Sequence, residues 1–572
     1  MATQRVVIDP ITRIEGHLRI ELETSGGRIT NAWASGTQFR GIETILQGRD
    51  PRDAWALAQR ICGVCTGVHA IASIRAVEDA LKYPVPRCAE LIRNLMAGMG
   101  AVQDHVMHFY HLHALDWVDV KSALSADPQA TARLAAAVSP WPNNSATLFR
   151  EVQQRVAKSV AGGQLGIFAG DYWGHPAYRL PPEANLLALA HYLEALPWQR
   201  EIIRLHAVFG GKNPHPNFLV GGMACAINLD NQQTINSVRL DELRGHISQA
   251  RRFVEEVYYP DVLAIGGFYR DYAAIGAASP TFLSVGECAF SCSGTPQGGV
   301  GRAGVLLDGN YRSIQPFEPL KIAEFVTSAW YSYSDGDTSA RHPLRGETTP
   351  RYTGPRPPYR ELAGSKKYTW VKAPRYDGRA AQVGPNARLL VACAQGHAET
   401  VGLVDEALAK LGAGRVALNS TLGRTLCRAI ESVLLARRME QWFDELQERI
   451  TSGDNTTFNP DKWEPESWPR SAQGVGFMEA PRGTLSHWVE IENGRVAHYE
   501  CVVPSTWNSC GRDADGQLGP FEQALAGGRH PLQDPERPLE VLRTVHSFDP
   551  CQSCACHVFD PAGGINCEVS VR

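Results

Sequence analysis

Apolar positions along this chain recur at two spacings, and the balance between them shifts from one region to the next. The start is β-like. Arg5–Ile11 is rich in β-branched residues, and His17–Ala34 alternates around Gly26-Gly27, a pair suited to a hairpin turn. Helical spacing begins near Asp53, continues through Leu91–Val120, and returns over Ala184–Phe209 before the stop at Gly210-Gly211. Leu240–Tyr258 and Leu422–Arg449 follow the same period and predict long amphipathic helices. A second hairpin is expected at Asn493-Gly494, between Leu485–Glu492 and Val496–Val503. Between about Arg341 and Arg379 the composition turns to Pro, Gly and charge, which predicts a surface excursion. No internal repeat or low-complexity tract interrupts the pattern. The expected architecture is mainly α, with small peripheral antiparallel β-sheets.

Composition narrows the function. The chain carries 56 Lys+Arg against 60 Asp+Glu, with no basic run, so nothing points to nucleic acid or to an anionic membrane surface. MATQRVVIDP lacks a basic stretch followed by an apolar one, and is not read as a signal peptide. No apolar run reaches the length of a transmembrane segment, so the chain alone is expected to be soluble. Fourteen cysteines are too sparse for a disulfide scaffold of this size. Cys88, Cys225, Cys393 and Cys427 stand alone in apolar settings and are expected to be inert core residues. Cys288 and Cys292 lie close together without a second pair nearby, and are read as structural.

The remaining clusters sit at opposite ends of the chain. Near the start is Arg60-Ile-Cys62-Gly-Val-Cys65-Thr-Gly-Val-His69; near the end is Asp549-Pro-Cys551-Gln-Ser-Cys554-Ala-Cys556-His557. In each C-x-x-C unit the two sulfurs can converge on one cation. On a helix Cys551, Cys554 and His557 would share one side and Cys556 would point elsewhere. Four soft thiolates suit zinc, iron–sulfur clusters, iron or nickel. A structural tetrathiolate zinc site is one reading. Zinc ribbons, however, join their pairs by a short loop, whereas here almost the whole chain separates them, as suits a central, catalytic metal.

The arginine-led R-x-C-G-x-C-x-x-x-H and the D-P-C-x-x-C-x-x-H resemble the paired signatures of nickel–iron hydrogenase large subunits, in particular the membrane-associated respiratory uptake type. The likeness continues through Asp9–His17, Gly36–Asp50, Gly211–Asn217, Lys462–Trp468, Ala480–Gly483 and Val502–Asn508. It implies a single multihelical catalytic domain over residues 1–557. It also implies reversible, heterolytic oxidation of dihydrogen to protons and electrons. Nickel would be held by Cys62, Cys65, Cys551 and Cys554, with Cys65 and Cys554 bridging to an iron that carries carbon monoxide and two cyanides.

By the same resemblance Glu15 is the proton-transfer carboxylate, and Arg482 overhangs the two metals with Asp104 and Asp549 as its acidic partners. Ser505 donates to a cyanide. His69 lies four residues after Cys65, so on a helix it is placed to donate to a thiolate, with an ordinary core histidine as the other reading. A magnesium ion is implied at Glu43, His557 and the carbonyl of Cys501. His215 is expected near the partner's closest iron–sulfur cluster. His105, His108, His111 and His113 step by near-helical intervals but complete no zinc motif, and are read as core or interface residues.

Residues 558–572 are implied to be an extension removed on maturation by an endopeptidase that cuts after His557. The chain has no ladder of cysteines for electron-carrying clusters. The resemblance therefore requires a small subunit carrying iron–sulfur clusters, through which a membrane cytochrome b takes the electrons. Export would ride on that partner's twin-arginine signal, placing the enzyme on the periplasmic side of a bacterial inner membrane.

Overall fold

A computed structural model describes residues 3–163, 166–168, 172–286, 302–356, 359–526 and 529–555. It is mainly helical with small antiparallel sheets, as the periodicity predicts. The N-terminal sheet runs Gln4–Ile8, Leu18–Ser25, Arg28–Gly36 in chain order. Gly26 and Gly27 make its turn at φ 60° and 73°, values that side chains other than glycine adopt at a cost. Its inner face, with Leu18, Ile20, Leu22 and Ile29, packs on Phe521, Val541, Leu542, Val545 and Phe548. One small core thus clasps the two ends of the chain together, and this is what brings Glu15 to the C-terminal cysteines.

The helix Thr421–Thr451 crosses the middle of the body. Every residue from Thr421 to Ala436 is buried, and it packs against Arg87–Met107. Ser420 starts it by accepting from the Gly423 amide. A second sheet, Ser471–Ala480, Gly483–Glu492 and Arg495–Val502, is built around the Asn493-Gly494 turn. It lies on the helix Val68–Leu81 at very short range. A Cβ added to Gly476 would sit 1.9 Å from the Ala72 carbonyl oxygen, so only glycine fits. That approach fixes the helix bearing His69 against the strand that ends beside Arg482.

Several expected elements change character on the way. Leu91–Val120 is an α-helix only to Met107; a π-helical segment follows over His108–His113, where His108 and His113 reach sideways to partners outside the helix. Ala184–Phe209 is two helices, Pro182–Ile202 and Arg204–Gly210, and the glycine stop holds, with Gly211 at φ 75°. Leu240–Tyr258 passes into a π-helical turn at Val254.

The surface excursion expected at 341–379 holds over most of 344–367, which is exposed or half-exposed, and is corrected over 368–376. Tyr368, Lys372, Ala373 and Arg375 are buried, and Ala373–Tyr376 pairs with Ile322–Phe325. Its polar groups find partners inside: Lys372 Nζ lies 2.8 Å from Glu500, Arg375 Nε 2.7 Å from Asp513, and the Tyr368 hydroxyl 2.7 Å from Glu522. Polar composition therefore misread an internally satisfied segment as a solvated one. Cys88, Cys393 and Cys427 are buried as expected, but Cys225 is half-exposed at the edge of a surface cleft. Cys288 and Cys292 lie outside the described residues. Among the described residues no helix is long and apolar enough to cross a membrane.

Candidate metal centre

Cys62 and Cys65 occupy a tight turn just before the helix Val68–Leu81, and the turn closes on itself. The amides of Val64 and Cys65 both point at the Cys62 sulfur, at 3.3 and 3.1 Å. The other pair begins after Asp549, whose left-handed φ of 57° turns the chain sharply at the end of the helix Leu539–Ser547. Cys551 stands just before a single helical turn, Gln552–Ala555, and Cys554 lies within it, so that both sulfurs fall on one side. Glu15 lies alongside as a short parallel bridge to Cys551, with its carbonyl accepting from the Gln552 amide at 2.7 Å.

The two pairs meet. Cys62 Sγ lies 3.3 Å from Cys551 Sγ, Cys65 Sγ 3.4 Å from Cys554 Sγ, and Cys551 Sγ 2.8 Å from Cys554 Sγ. All four ligand atoms fall within 4.8 Å of one another, and all four residues are buried. Burial lifts the thiols of Cys551 and Cys554 well above the usual range. It opposes ionisation of Cys62 too, but hydrogen bonds from the other three thiols and the Arg482 charge hold Cys62 well below that range. The protein alone thus accommodates one thiolate readily, and four need a cation.

Glu15 Oε2 is 3.2 Å from Cys551 Sγ and accepts from the Ser553 amide at 3.0 Å. Burial, then the charge of Cys62, raises its pKa. Arg482 reaches Asp549 through its Oδ1 and its carbonyl, both at 3.1 Å, and Asp104 Oδ2 at 3.3 Å. Asp104 is pushed up to about 7 by burial. Ser505 Oγ accepts from the Cys551 amide at 3.0 Å. His69 Nε2 lies 3.4 Å from Cys554 Sγ, and its Nδ1 is 3.0 Å from His487 Nε2. Burial lowers the His69 pKa to about 4, so the ring is neutral near pH 7. A small space of about 10 Å³ is lined by Cys65, Cys551, Cys554, His69, Arg482 and Ser505, but not by Cys62.

Ten of the residues singled out from sequence therefore form one constellation: the four cysteines, Glu15, Asp104, Asp549, Arg482, Ser505 and His69. Glu43 and Cys501 stand in a second place. There Glu43 is pushed up to about 7 by burial and by Glu500, and Glu324 to about 8, chiefly by burial, while Lys372 provides the neighbouring positive charge. His557 lies outside the described residues. His215 Nε2 is 3.1 Å from the Cys62 carbonyl.

Each histidine of the run finds a partner inside the protein through at least one ring nitrogen. His105 meets Glu431 at 2.6 Å, His108 the His546 carbonyl at 2.7 Å, and His111 the Tyr192 carbonyl at 3.2 Å. His113, Asp116 and His546 do cluster at metal-binding range. Asp116, however, is already paired with Arg13, and His546 meets both Asp116 and the Thr12 carbonyl, so the cluster is a hydrogen-bond network.

Sequence reasoning did not single out Arg40, which ties the two halves by bonding the Ile61 carbonyl and, at 2.9 Å, the Ser553 carbonyl. Its only signal was its place in the GTQFRGIE stretch. The His487–Tyr499–Ser73 relay behind His69, with steps of 2.7 and 2.8 Å, was not legible at all.

The chain matches the nickel-dependent hydrogenase family over residues 40–557, and a HoxL-like family over residues 5–34. The uptake hydrogenase large subunit of Bradyrhizobium diazoefficiens is 48% identical over 584 residues, covering 100% of this chain and 98% of that protein. The hydrogenase-1 large chain of Escherichia coli K12 is 47% identical over 591 residues, with the same coverage of 100% and 98%. Among solved structures, the Ni-Fe-Se hydrogenase of Desulfovibrio vulgaris Hildenborough in its as-isolated oxidized state superposes with a TM-score of 0.76 at 32% identity, covering 97% of this chain and 100% of that one.

Proposed function

The chain belongs to the nickel-dependent hydrogenase family as a large subunit, and on that premise we propose that it is the catalytic subunit of a respiratory uptake nickel–iron hydrogenase. Cys62, Cys65, Cys551 and Cys554 would hold the centre. The single observation that carries this is the convergence of four buried sulfurs from opposite ends of the chain within 4.8 Å. The donor set fits: soft thiolates suit nickel, and the burial that hinders their ionisation is relieved by a cation. Cys65 and Cys554 border a small space beside the sulfurs and would help hold an iron with carbon monoxide and cyanide ligands on that side. When bound, the centre would supply an electrophilic open position at which dihydrogen is polarised and split.

The chain's own residues do the rest. Glu15, with a raised pKa and 3.2 Å from Cys551 Sγ, is placed to take a proton at that sulfur and pass it outward. Arg482 holds a fixed positive charge over the sulfurs, anchored by Asp104 and Asp549. Because Ser505 Oγ accepts from the Cys551 amide, its own hydrogen is left to donate to a cyanide nitrogen. His69 bonds His487 Nε2 through Nδ1 and lies 3.4 Å from the Cys554 sulfur through Nε2, which fixes its ring against that thiolate.

A magnesium ion is the finer assignment at Glu43, the Cys501 carbonyl and His557. Three buried carboxylates (Glu43, Glu324 and Glu500) face a single ammonium, Lys372, which suits a divalent cation. Residues 1–557 would form one catalytic domain, and an endopeptidase would cut after His557 to release 558–572. The family match ending at residue 557 supports that boundary. Electrons would leave past His215 to a small iron–sulfur subunit and on to a membrane cytochrome b, at the periplasmic face of the inner membrane. Support comes from relatives named as uptake hydrogenase subunits.

The test is infrared spectroscopy and metal analysis of the processed, partner-bound complex. Nickel and iron at one equivalent each, with carbon monoxide and cyanide bands, are expected. One equivalent of zinc without nickel, and no such bands, would favour a structural zinc site instead.

A further inference from the structure

The helix Thr421–Thr451 carries two arginines one turn apart, Arg424 and Arg428, each 2% exposed. Among the described residues neither forms an ion pair with a carboxylate. Both instead reach the last residue of the helix Leu539–Ser547. Arg428 Nη1 donates to the Ser547 carbonyl at 2.5 Å, and Arg424 Nε to the Ser547 hydroxyl at 2.9 Å. Arg424 also donates to the Gly276 carbonyl at 2.8 Å and lies over the Phe548 ring, 3.7 Å from its centre. Arg424 Nη1 and Arg428 Nε have no partner. Burial, and for Arg424 also the charge of Arg428, pulls both guanidinium groups below their usual pKa.

A helix end offers only about half a negative charge, so capping Ser547 does not account for two buried cations. What lies next along the chain does. Asp549, Cys551 and Cys554 follow Ser547 directly, and Arg428 feels the Asp549 charge. Arg482 shares its charge among Asp104, Asp549 and the sulfurs, so it does not neutralise the centre alone. A divalent nickel on four thiolates leaves a net charge of minus two, and two unmatched arginines stand behind the segment that delivers half of those thiolates.

We propose that Arg424 and Arg428 are positioning residues that clamp the C-terminal half of the centre and neutralise it only when it is loaded. The cost of burying them then falls on the empty protein. This rests on the nickel reading of the four cysteines.

The test uses the complete heterodimeric complex, prepared with and without nickel. Arg428→Met and Arg424→Met remove charge at similar size, and Arg428→Lys keeps it. Melting temperature and the rate of nickel loss to a chelator are measured. Each methionine variant should leave the unloaded complex as stable as wild type or more so, yet release nickel at least tenfold faster. The lysine variant should recover most of the retention. Equal destabilisation of loaded and unloaded complex, failure of the methionine variants to fold even when unloaded, or no recovery with lysine would each make these arginines simple helix caps and overturn the proposal. A wild-type complex that holds no nickel would instead overturn the underlying assignment, and that control is read first.

Discussion

Cys62 and Cys65 sit in a turn that its own backbone closes, with two amides aimed at one sulfur. Cys551 and Cys554 sit on a single helical turn held almost entirely by side chains from elsewhere. Glu15 comes from the N-terminal segment, Arg40 from the next loop and Ser505 from beyond the second sheet, while Arg424 and Arg428 of the central helix hold Ser547 just before that turn. The first half is specified locally and the second by the finished fold. Local backbone bonds form as soon as the turn does, whereas long-range contacts require loop closure across nearly the whole chain. Such a difference would suit a site that is loaded before it is sealed.

The largest effect tests whether the halves are equal once metal is bound. Replacing any one of the four cysteines with serine should abolish nickel retention and hydrogen oxidation together, measured by metal analysis and hydrogen uptake. A variant in the C-terminal half that kept full nickel would break the symmetry and reduce that half to a lid. Next come the groups that touch the sulfurs without ligating. Glu15→Gln should slow hydrogen–deuterium exchange by roughly 10²–10⁴-fold, with nickel retained. Loss of nickel would show that Glu15 acts mainly as the strap holding Cys551 and Ser553. Arg482→Lys should lower turnover by about 10²–10³-fold, since a point charge cannot reproduce the fork that meets both aspartates.

The same division explains what could be read in advance. Both hairpins, the long helices and the glycine stop carry their signals within a few residues, and all were legible. The four cysteines, Glu15, Arg482 and Ser505 were legible because they lie in short motifs resembling a family. Lys372 and Arg375 were not: charge reads as solvent exposure, and their partners Glu500 and Asp513 are more than a hundred residues away. Arg424 and Arg428 looked like ordinary polar positions on an amphipathic helix. Nothing in their neighbourhood shows that they face the end of another helix. A residue whose role depends on what the fold places opposite leaves no local trace.

Acid should expose the long-range support before the local turn. His530 is buried beside the helix Leu539–Ser547, with Nε2 2.7 Å from Thr544 Oγ1 and its pKa pushed down to about 4 by burial. Its unfolded value is near 6.5, so below that pH the unfolded chain takes up the proton first and stability falls until the folded ring also protonates. The loss should approach roughly 3 kcal/mol by pH 4 and be absent above pH 6.5. Denaturant unfolding of the unloaded complex against pH measures it. His530→Gln should flatten that limb, and an unchanged limb would move the acid sensitivity to other buried histidines.

The smallest effect separates a support from a ligand. Ser505 Oγ accepts the Cys551 amide at 3.0 Å, and serine at this place can hold the backbone and donate outward at once. Ser505→Ala removes the acceptor and leaves a buried amide unmet, which costs about 1 kcal/mol. Because Cys551 belongs to the half held by side chains from elsewhere, the loss should appear as release of nickel to a chelator about fivefold faster, not as loss of the fold. The cyanide bands should shift in the same variant, since the donated hydrogen bond goes with the hydroxyl. Faster release without a band shift would confine Ser505 to holding the backbone. A band shift without faster release would mean that Cys551 is held firmly by Glu15 and its own helical turn, and the contrast between a locally built half and a side-chain-built half would weaken at its most exposed point.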